Sequence, residues 1–228
     1  MKLSISMTQR EEQLGWLVLA LQLAVLPALL VTVNAALAVP LSDALLNCLL
    51  FVINFIAAVL VFRRFLIRSA RQAAAAPFQF LRFAAIGLAL YYIGIYLIGL
   101  FIGLVYPQFS NVNDSNIQSM AREHYGLILV GTVLLVPVTE EALFRGLIFR
   151  TLQQKSRLLA YILSTLSFGL VHVTGYIGTA SGTVLLLCLL QYVPAGLCFA
   201  WAYEKADTVW APILMHMAIN QISMSYLR

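Results

Sequence analysis

The sequence predicts an all-α, polytopic transmembrane helical bundle, on three observations. Of its 228 residues 62% are hydrophobic and only 10% are charged, outside the usual composition of a water-soluble domain. The apolar residues come in runs long enough to cross a hydrocarbon core about 30 Å thick, which takes roughly 20 helical residues at about 1.5 Å each. The Lys and Arg residues gather between alternate runs, the charge asymmetry of membrane proteins.

About seven spans are expected, within limits of six to eight: 14–38, 41–62, 83–105, 126–149, 158–174, 183–203 and 209–226. The first follows "MKLSISMTQREEQ". Its apolar stretch exceeds the roughly 7 to 15 residues of a signal-peptide core and lacks a small-residue cleavage site, so a retained helix is expected. The segment "RRFLIRSARQAAAAPFQFLRF" fits either an amphipathic helix lying along the interface and ending near Pro77, or a solvated basic loop that sets topology. "YPQFSNVNDSNIQSMAREHYG" reads as a polar loop, and "TGYIGTASG" leaves room for a re-entrant piece. Pro27, Pro137 and Pro194 lie inside spans and predict kinks, while the small residues of "PAGLCFA" predict close helix packing.

Lys2 and Arg10 precede the first span, Arg63, Arg64, Arg68, Arg71 and Arg82 lie between the second and third, and Arg145, Arg150, Lys155 and Arg157 surround the fourth turn. The alternate loops carry only Arg122. The N-terminus is therefore expected in the cytoplasm, and seven spans would leave the C-terminus outside. The short chain and minimal loops suit a bacterial plasma membrane. The formal charge of +5 is accounted for by these flanks, with no base-reading module and no nucleic-acid partner expected. Cys48, Cys188 and Cys198 lie in apolar runs without metal-type spacing and read as packing residues. No internal repeat suggests a transporter, and one membrane domain, 1–228, is the simplest organisation.

Ionisable groups inside a bilayer are costly and call for a partner or a function. In the latter half they fall in three clusters: Glu140, Glu141 and Arg145; His172; and His216 with Asn220. Glu140 lies 16 residues before Ser156, the expected turn, and His172 lies 16 after it. An antiparallel helical hairpin therefore places the two level, about 24 Å from the turn and some 14 Å inside the membrane. The last span enters from the same side and carries His216 to a depth of roughly 10 Å. The site is accordingly expected in a cytoplasm-facing cavity a few turns below the surface. Glu141 and Arg145, four apart, form a favourable acid-to-base pair, leaving Glu140 for the histidines. Phe168 shares a face with His172, and His216 with Asn220. His124 sits in the polar loop and is assigned no role.

The chain has no nucleophile elbow, no Cys placed with a His and no His-Glu-x-x-His helix, so covalent catalysis is poorly supported. A carboxylate and an imidazole suit activation of water for attack on a carbonyl. A second imidazole with a carboxamide offers donors to the oxyanion. Two His and one Glu, here Glu140, His172 and His216, also match a catalytic zinc set. Metal-free and zinc chemistry both remain open at this point. So do two rivals of other classes: a proton relay or transporter, and a non-catalytic immunity or scaffold protein.

"EEALFR", "FGLVH" and "HMAIN" resemble, in order and on successive spans, the three motifs of the CPBP family, the CAAX-protease and bacteriocin-processing proteins also called Abi proteins. The resemblance covers about residues 126–226, a catalytic core, and leaves the first 125 residues unmatched. It implies a membrane-embedded peptidase in which Glu140 and His172 activate water. It likewise implies that His216 and Asn220 stabilise the oxyanion, while Glu141 and Arg145 support the site or contact substrate. The family is described both as metalloproteases and as glutamate-type enzymes, so zinc stays open. Its bacterial members are linked to peptide maturation and bacteriocin immunity, which implies a small hydrophobic, membrane-bound or lipid-modified peptide as substrate and membrane lipid as surroundings.

Overall fold

The computed structural model describes residues 3–227, in which the apolar runs fold as helices. Lys2, counted above among the basic flanks, lies outside the described residues. In chain order the α-helices are α1 (Gln9–Ala20), α2 (Leu26–Ala35), α3 (Asp43–Val61), α4 (Arg63–Ala75), α5 (Pro77–Val105) and α6 (Val112–Val130), followed by α7 (Val136–Glu141), α8 (Arg150–Gln153), α9 (Arg157–Val173), α10 (Gly182–Ala206) and α11 (Trp210–Ser225). Among the described residues six helical stretches are long and apolar enough to cross a membrane, counting Gln9–Ala35 and Val112–Gln153 as continuous. The seventh expected span is α11, whose 16 residues rise only about 24 Å, short of a hydrocarbon core.

Two of the three prolines explain how the long stretches bend. A π-helical turn, Leu21–Val25, joins α1 to α2 just ahead of Pro27, and another, Gly131–Leu135, joins α6 to α7 just ahead of Pro137. Proline has no N–H to give the preceding turn, and a wider turn accommodates its ring. Pro194 lies within the continuous helix α10. A third π stretch, Ala142–Phe149, links α7 to α8 directly after the paired carboxylates.

The basic segment forms the interfacial type of helix. In α4 Phe65, Leu66 and Ser69 are buried while Arg63, Arg64 and Arg71 are exposed. Helix α4 stops before Pro77, where α5 starts. Its first turn is capped from a distance: the buried Glu11 carboxylate accepts from Phe65 N–H at 2.7 Å and meets Arg68 at 3.4 Å. The other face holds the start of α11, since Ser69 Oγ accepts from Val209 N–H at 2.8 Å and Trp210 Nε1 donates to Leu66 O at 3.1 Å.

The polar stretch after α5, expected as a loop, is mostly helix α6. Asn111 caps it by accepting from Asn113 N–H at 3.0 Å and Asp114 N–H at 3.3 Å, and the chain kinks at His124 (φ −139°, ψ 65°) before entering the apolar run. The Gly-containing link after α9 is a short 3₁₀ turn, Thr174–Tyr176, and a bridge between Ile177 and Ala180 rather than a re-entrant helix. Helices α9 and α10 pack closely: a Cβ on Gly196 would stand 2.9 Å from Thr165 Cα. At the end where α8 meets α9, Glu204 accepts from Arg157 Nε and Nη2 (both 2.8 Å), Gln153 (2.9 Å) and Tyr161 (2.8 Å). This is the basic end of the bundle, with Arg63, Arg64, Arg150, Lys155 and Arg157 at the helix ends that meet there.

Candidate active site

Glu140 lies in the last turn of α7, three residues after Pro137, and its carboxylate faces two imidazoles. His172 Nε2 lies 3.9 Å from Oε1, and His216 Nε2 lies 3.9 Å from Oε2. Oε2 itself is buried without a hydrogen-bond partner. The hairpin count that set Glu140 level with His172 holds, because the turn at residues 154–156 falls where Ser156 caps α9 by accepting from Leu159 N–H at 3.3 Å. His216 reaches the same layer.

Each imidazole is fixed through its other nitrogen. His172 Nδ1 donates to Phe168 O at 2.7 Å, and the ring stacks on Tyr192 at 4.3 Å between centroids. His216 Nδ1 donates to Glu141 Oε1 at 3.0 Å, and its ring stacks on Phe199 at 4.9 Å. With Nδ1 occupied as a donor, the neutral ring of each presents the Nε2 lone pair to Glu140.

Glu141 does more than the sequence spacing indicated. Its Oε1 accepts from Arg145 Nη1 at 3.1 Å as well as from His216, and both Glu141 and Arg145 have 0% of their surface exposed. Arg145 therefore belongs to the centre of the bundle and not to the basic flank where its charge was counted. Its Nη2 donates to Gly196 O at 3.2 Å, and its guanidinium lies 4.6 Å from the Phe168 ring and 5.1 Å from Phe199. Phe168 is the shared wall of the site, touching His172 at 4.8 Å and His216 at 5.9 Å between ring centroids.

Asn220 lines the same cavity, with one N–H already used: Nδ2 donates to Thr132 O at 2.8 Å. The reason lies in α7. Val136 N–H bonds Gly131 O, and residue 137, which a continuing π ladder would turn toward Thr132, is a proline without an N–H. Asn220 supplies the missing donor and keeps its second N–H and Oδ1 for the cavity. His124 stands apart, 3.6 Å from Glu123.

Glu140, His172, His216 and Asn220, with Phe168 and Tyr192, line a cavity of about 800 Å³. Its floor is Leu143, Phe144 and Phe199, and beneath them toward the basic end Arg145, Leu147, Phe149, Tyr203 and Glu204 are buried. The other walls include Asn111, Asp114, Gly175 and Leu227, all at the helix ends away from the basic residues. The expected cytoplasm-facing cavity is thus corrected relative to the charges: the chamber extends toward the end opposite the basic one, because the α8–α10 core fills the basic half. Tyr192, Phe199, Thr132 and Gly196 escaped the sequence reading, since aromatic, Gly and Thr residues in apolar spans carry no polar signal. Gln22 and Asn54, also in the wall, did carry one, as amides within otherwise apolar runs.

Two imidazoles and a carboxylate are chemically suited to zinc, and the Nδ1 anchors are of the kind zinc-bound histidines have. The spacing is less suited. Donors about 2.1 Å from one ion stand roughly 3.4 Å apart in a tetrahedron, against 3.9 Å for both pairs here, and among the described residues no three His, Cys, Asp or Glu side chains are grouped closely enough to hold an ion as they stand.

Residues 122–222 match the model of the family described as "Type II CAAX prenyl endopeptidase Rce1-like". This part of the chain is similar to that family. The match runs from the middle of α6 into α11 and contains Glu140, Glu141, Arg145, His172 and His216. The chain is 30% identical over 95 residues to the Bacillus subtilis (strain 168) protein named "Putative membrane peptidase YdiL" and 28% identical over 95 residues to the Lactococcus lactis subsp. lactis (strain IL1403) "UPF0177 protein YxdF". Those alignments take in 41% and 42% of this chain, and cover 34% and 47% of the two relatives. No solved structure matches. With six helices long and apolar enough to cross a membrane and this family match, the chain is an integral membrane protein.

Proposed function

We propose that the chain is an intramembrane endopeptidase that hydrolyses a peptide bond in a small hydrophobic, membrane-associated or lipid-modified peptide, using water activated by Glu140 and His172. One observation carries this reading: a buried carboxylate faces two anchored imidazoles across 3.9 Å gaps, inside a cavity large enough for a peptide segment. A 3.9 Å gap is too long for a direct hydrogen bond, yet a water can sit about 2.8 Å from both groups. Glu140 takes the proton as the water attacks the carbonyl carbon, and returns it to the leaving amine. The Nε2 lone pair of His172 orients that water.

His216 and the second N–H of Asn220 are the donors for the oxyanion. With Nδ1 committed to Glu141, His216 donates from Nε2 only when both nitrogens carry protons. Glu141 and Arg145 act through His216 as positioning residues, and Phe168 sets the spacing of the two rings. Because all steps run through side chains of the chain itself, zinc is a question for direct measurement. The arrangement of basic residues supports an N-terminus on the cytoplasmic side of a bacterial plasma membrane.

The test is a peptidase assay on purified protein with a panel of hydrophobic and lipid-modified peptides, alongside elemental analysis and chelator treatment. Glu140→Gln and His172→Ala are expected to lower the rate by about 10² to 10⁴, and His216→Ala by about 10² to 10³. Wild-type rates from Glu140→Gln would end the proposal. Loss of activity on chelation, restored by zinc at one ion per chain, would replace water activation by the carboxylate alone with activation by a metal.

A further inference from the structure

Two carboxamides lie in the cavity wall on helices outside residues 122–222. Gln22 is in the π-helical turn Leu21–Val25 and Asn54 is in α3, and both line the chamber that holds Glu140. Their heights agree: Gln22 is near the middle of the 27-residue stretch Gln9–Ala35, Asn54 is near the middle of the 19-residue α3, and Glu140 is about midway along the apolar part of the long helix that follows the kink at His124. Around Gln22 the neighbouring Leu21, Ala24 and Val25 are exposed, while Gln22 and Leu23 line the chamber, so the one amide in this turn is among the residues turned inward.

Neither amide makes a hydrogen bond within the described residues, and Asn54 Oδ1 is fully buried and unpaired. A polar side chain kept in an apolar span without a partner is costly. Structural Asn and Gln in membrane helices act as interhelical glue by bonding across to a neighbour, which these two do not do. Both side chains belong to the chamber wall.

A peptide presented for hydrolysis must be extended, and where it packs against the chamber wall its N–H and C=O groups lose contact with water. Unpaired backbone is what hydrocarbon surroundings tolerate least. A carboxamide carries both a donor and an acceptor and matches one peptide group with two hydrogen bonds. We infer that Gln22 and Asn54 form a substrate subsite that pairs with the main chain of an extended peptide bound against Glu140. The occupant's being a peptide rests on the peptidase reading above. The subsite explains how a wall built by α1–α3, outside residues 122–222, serves a site whose Glu140, His172 and His216 all lie within them. Recognition through the backbone also means tolerance of side-chain identity along the segment in contact.

The test uses Glu140→Gln protein in lipid nanodiscs, to prevent cleavage, and a fluorescein-labelled decapeptide of Leu, Ala and Val residues as the probe. Asn54→Leu and Gln22→Leu, added singly, are each expected to weaken binding about tenfold, one lost pair of hydrogen bonds. Ester-for-amide replacement in the probe weakens binding to the parent protein by a similar factor, and changes binding to the doubly substituted protein less than twofold. The midpoint of thermal unfolding should stay level or rise in Asn54→Leu, since an orphaned polar group is removed. Unchanged affinity in both leucine variants, no binding of the probe to the parent, or an Asn54→Leu protein that unfolds early or does not fold would each overturn the subsite. The two readings fail differently. If wild type leaves the decapeptide intact while the leucine variants still bind it less well, the peptidase reading falls and the subsite stands; if wild type cleaves it and both leucine variants match wild type in KM, the reverse holds.

Discussion

At the scale of single residues, the adjacent carboxylates have opposite requirements. Glu141 is held by Arg145 at 3.1 Å and by His216 at 3.0 Å with no exposed surface on the ion pair. Removing one member leaves the other charged and buried. Glu141→Ala or Arg145→Ala should therefore cost about 3 to 5 kcal/mol of folding stability, read from denaturant unfolding in mixed micelles, and the double substitution should cost much less than the sum of the two. Glu140 has no such partner, and its Oε2 is an unpaired buried atom. Glu140→Gln is expected to keep or raise stability while the hydrolytic rate collapses, the trade-off of a functional polar group in a costly place. Equal destabilisation by Glu140→Gln and Glu141→Gln would refute this division. The Glu141–Arg145 contact was legible in the sequence because one helical turn separates the two. The Glu141–His216 contact, across 75 residues, was not, since depth counting fixes which groups share a layer but not which face meets which.

At the scale of elements, Asn220 makes a helix defect tolerable. The carbonyl of Thr132 has lost its helical partner to Pro137, and Asn220 Nδ2 replaces it at 2.8 Å. Asn220→Ala is expected to cost about 1 to 3 kcal/mol for the unpaired buried carbonyl. Pro137→Ala, which restores an N–H at that position, should recover much of the stability of Asn220→Ala without recovering its activity; no recovery would mean that the contact carries no weight in the fold. Packing of α9 on α10 is as exacting. Gly196→Ala would drive a methyl to within 2.9 Å of the Thr165 backbone and shift the carbonyl that Arg145 bonds, at an expected cost of about 1 to 3 kcal/mol. Most elements were readable beforehand, since continuous apolar runs in a chain of this composition have no other fold to adopt. Helix α6 was not, because a dozen polar residues outweighed its one local signal, the Asn111–Asp114 cap. The seventh run fell short as a span for a related reason: Val209 and Ala211, at the start of α11, are buried beneath α4, so apolar residues there serve the core instead of meeting lipid.

At the scale of the whole molecule, the charges and the chamber lie at opposite ends. Positive-inside counting located the basic end correctly as one face of the bundle, yet it treated Arg145 as a flank, and the chamber was assigned to the wrong side. The packed layer of Arg145, Leu147, Phe149 and Tyr203, with Glu204 clamped by Arg157, Gln153 and Tyr161, closes the route from the basic side. The amphipathic start of α6 and the link after α9 frame the other. On the peptidase reading proposed above, a peptide enters laterally or from the face opposite Lys155. Single cysteines in a background lacking Cys48, Cys188 and Cys198 test this directly. Ser119 and Lys155 are exposed at the two ends, and Asp114 is exposed in the chamber wall. In sealed vesicles a membrane-impermeant maleimide is expected to label Ser119→Cys and Asp114→Cys from one side and Lys155→Cys from the other, whichever way the vesicles are turned. A bound hydrophobic peptide should slow labelling at Asp114→Cys and leave Ser119→Cys unchanged. Labelling of Asp114→Cys from the Lys155 side would mean that the α8–α10 core opens, and the chamber would then communicate with the basic face after all.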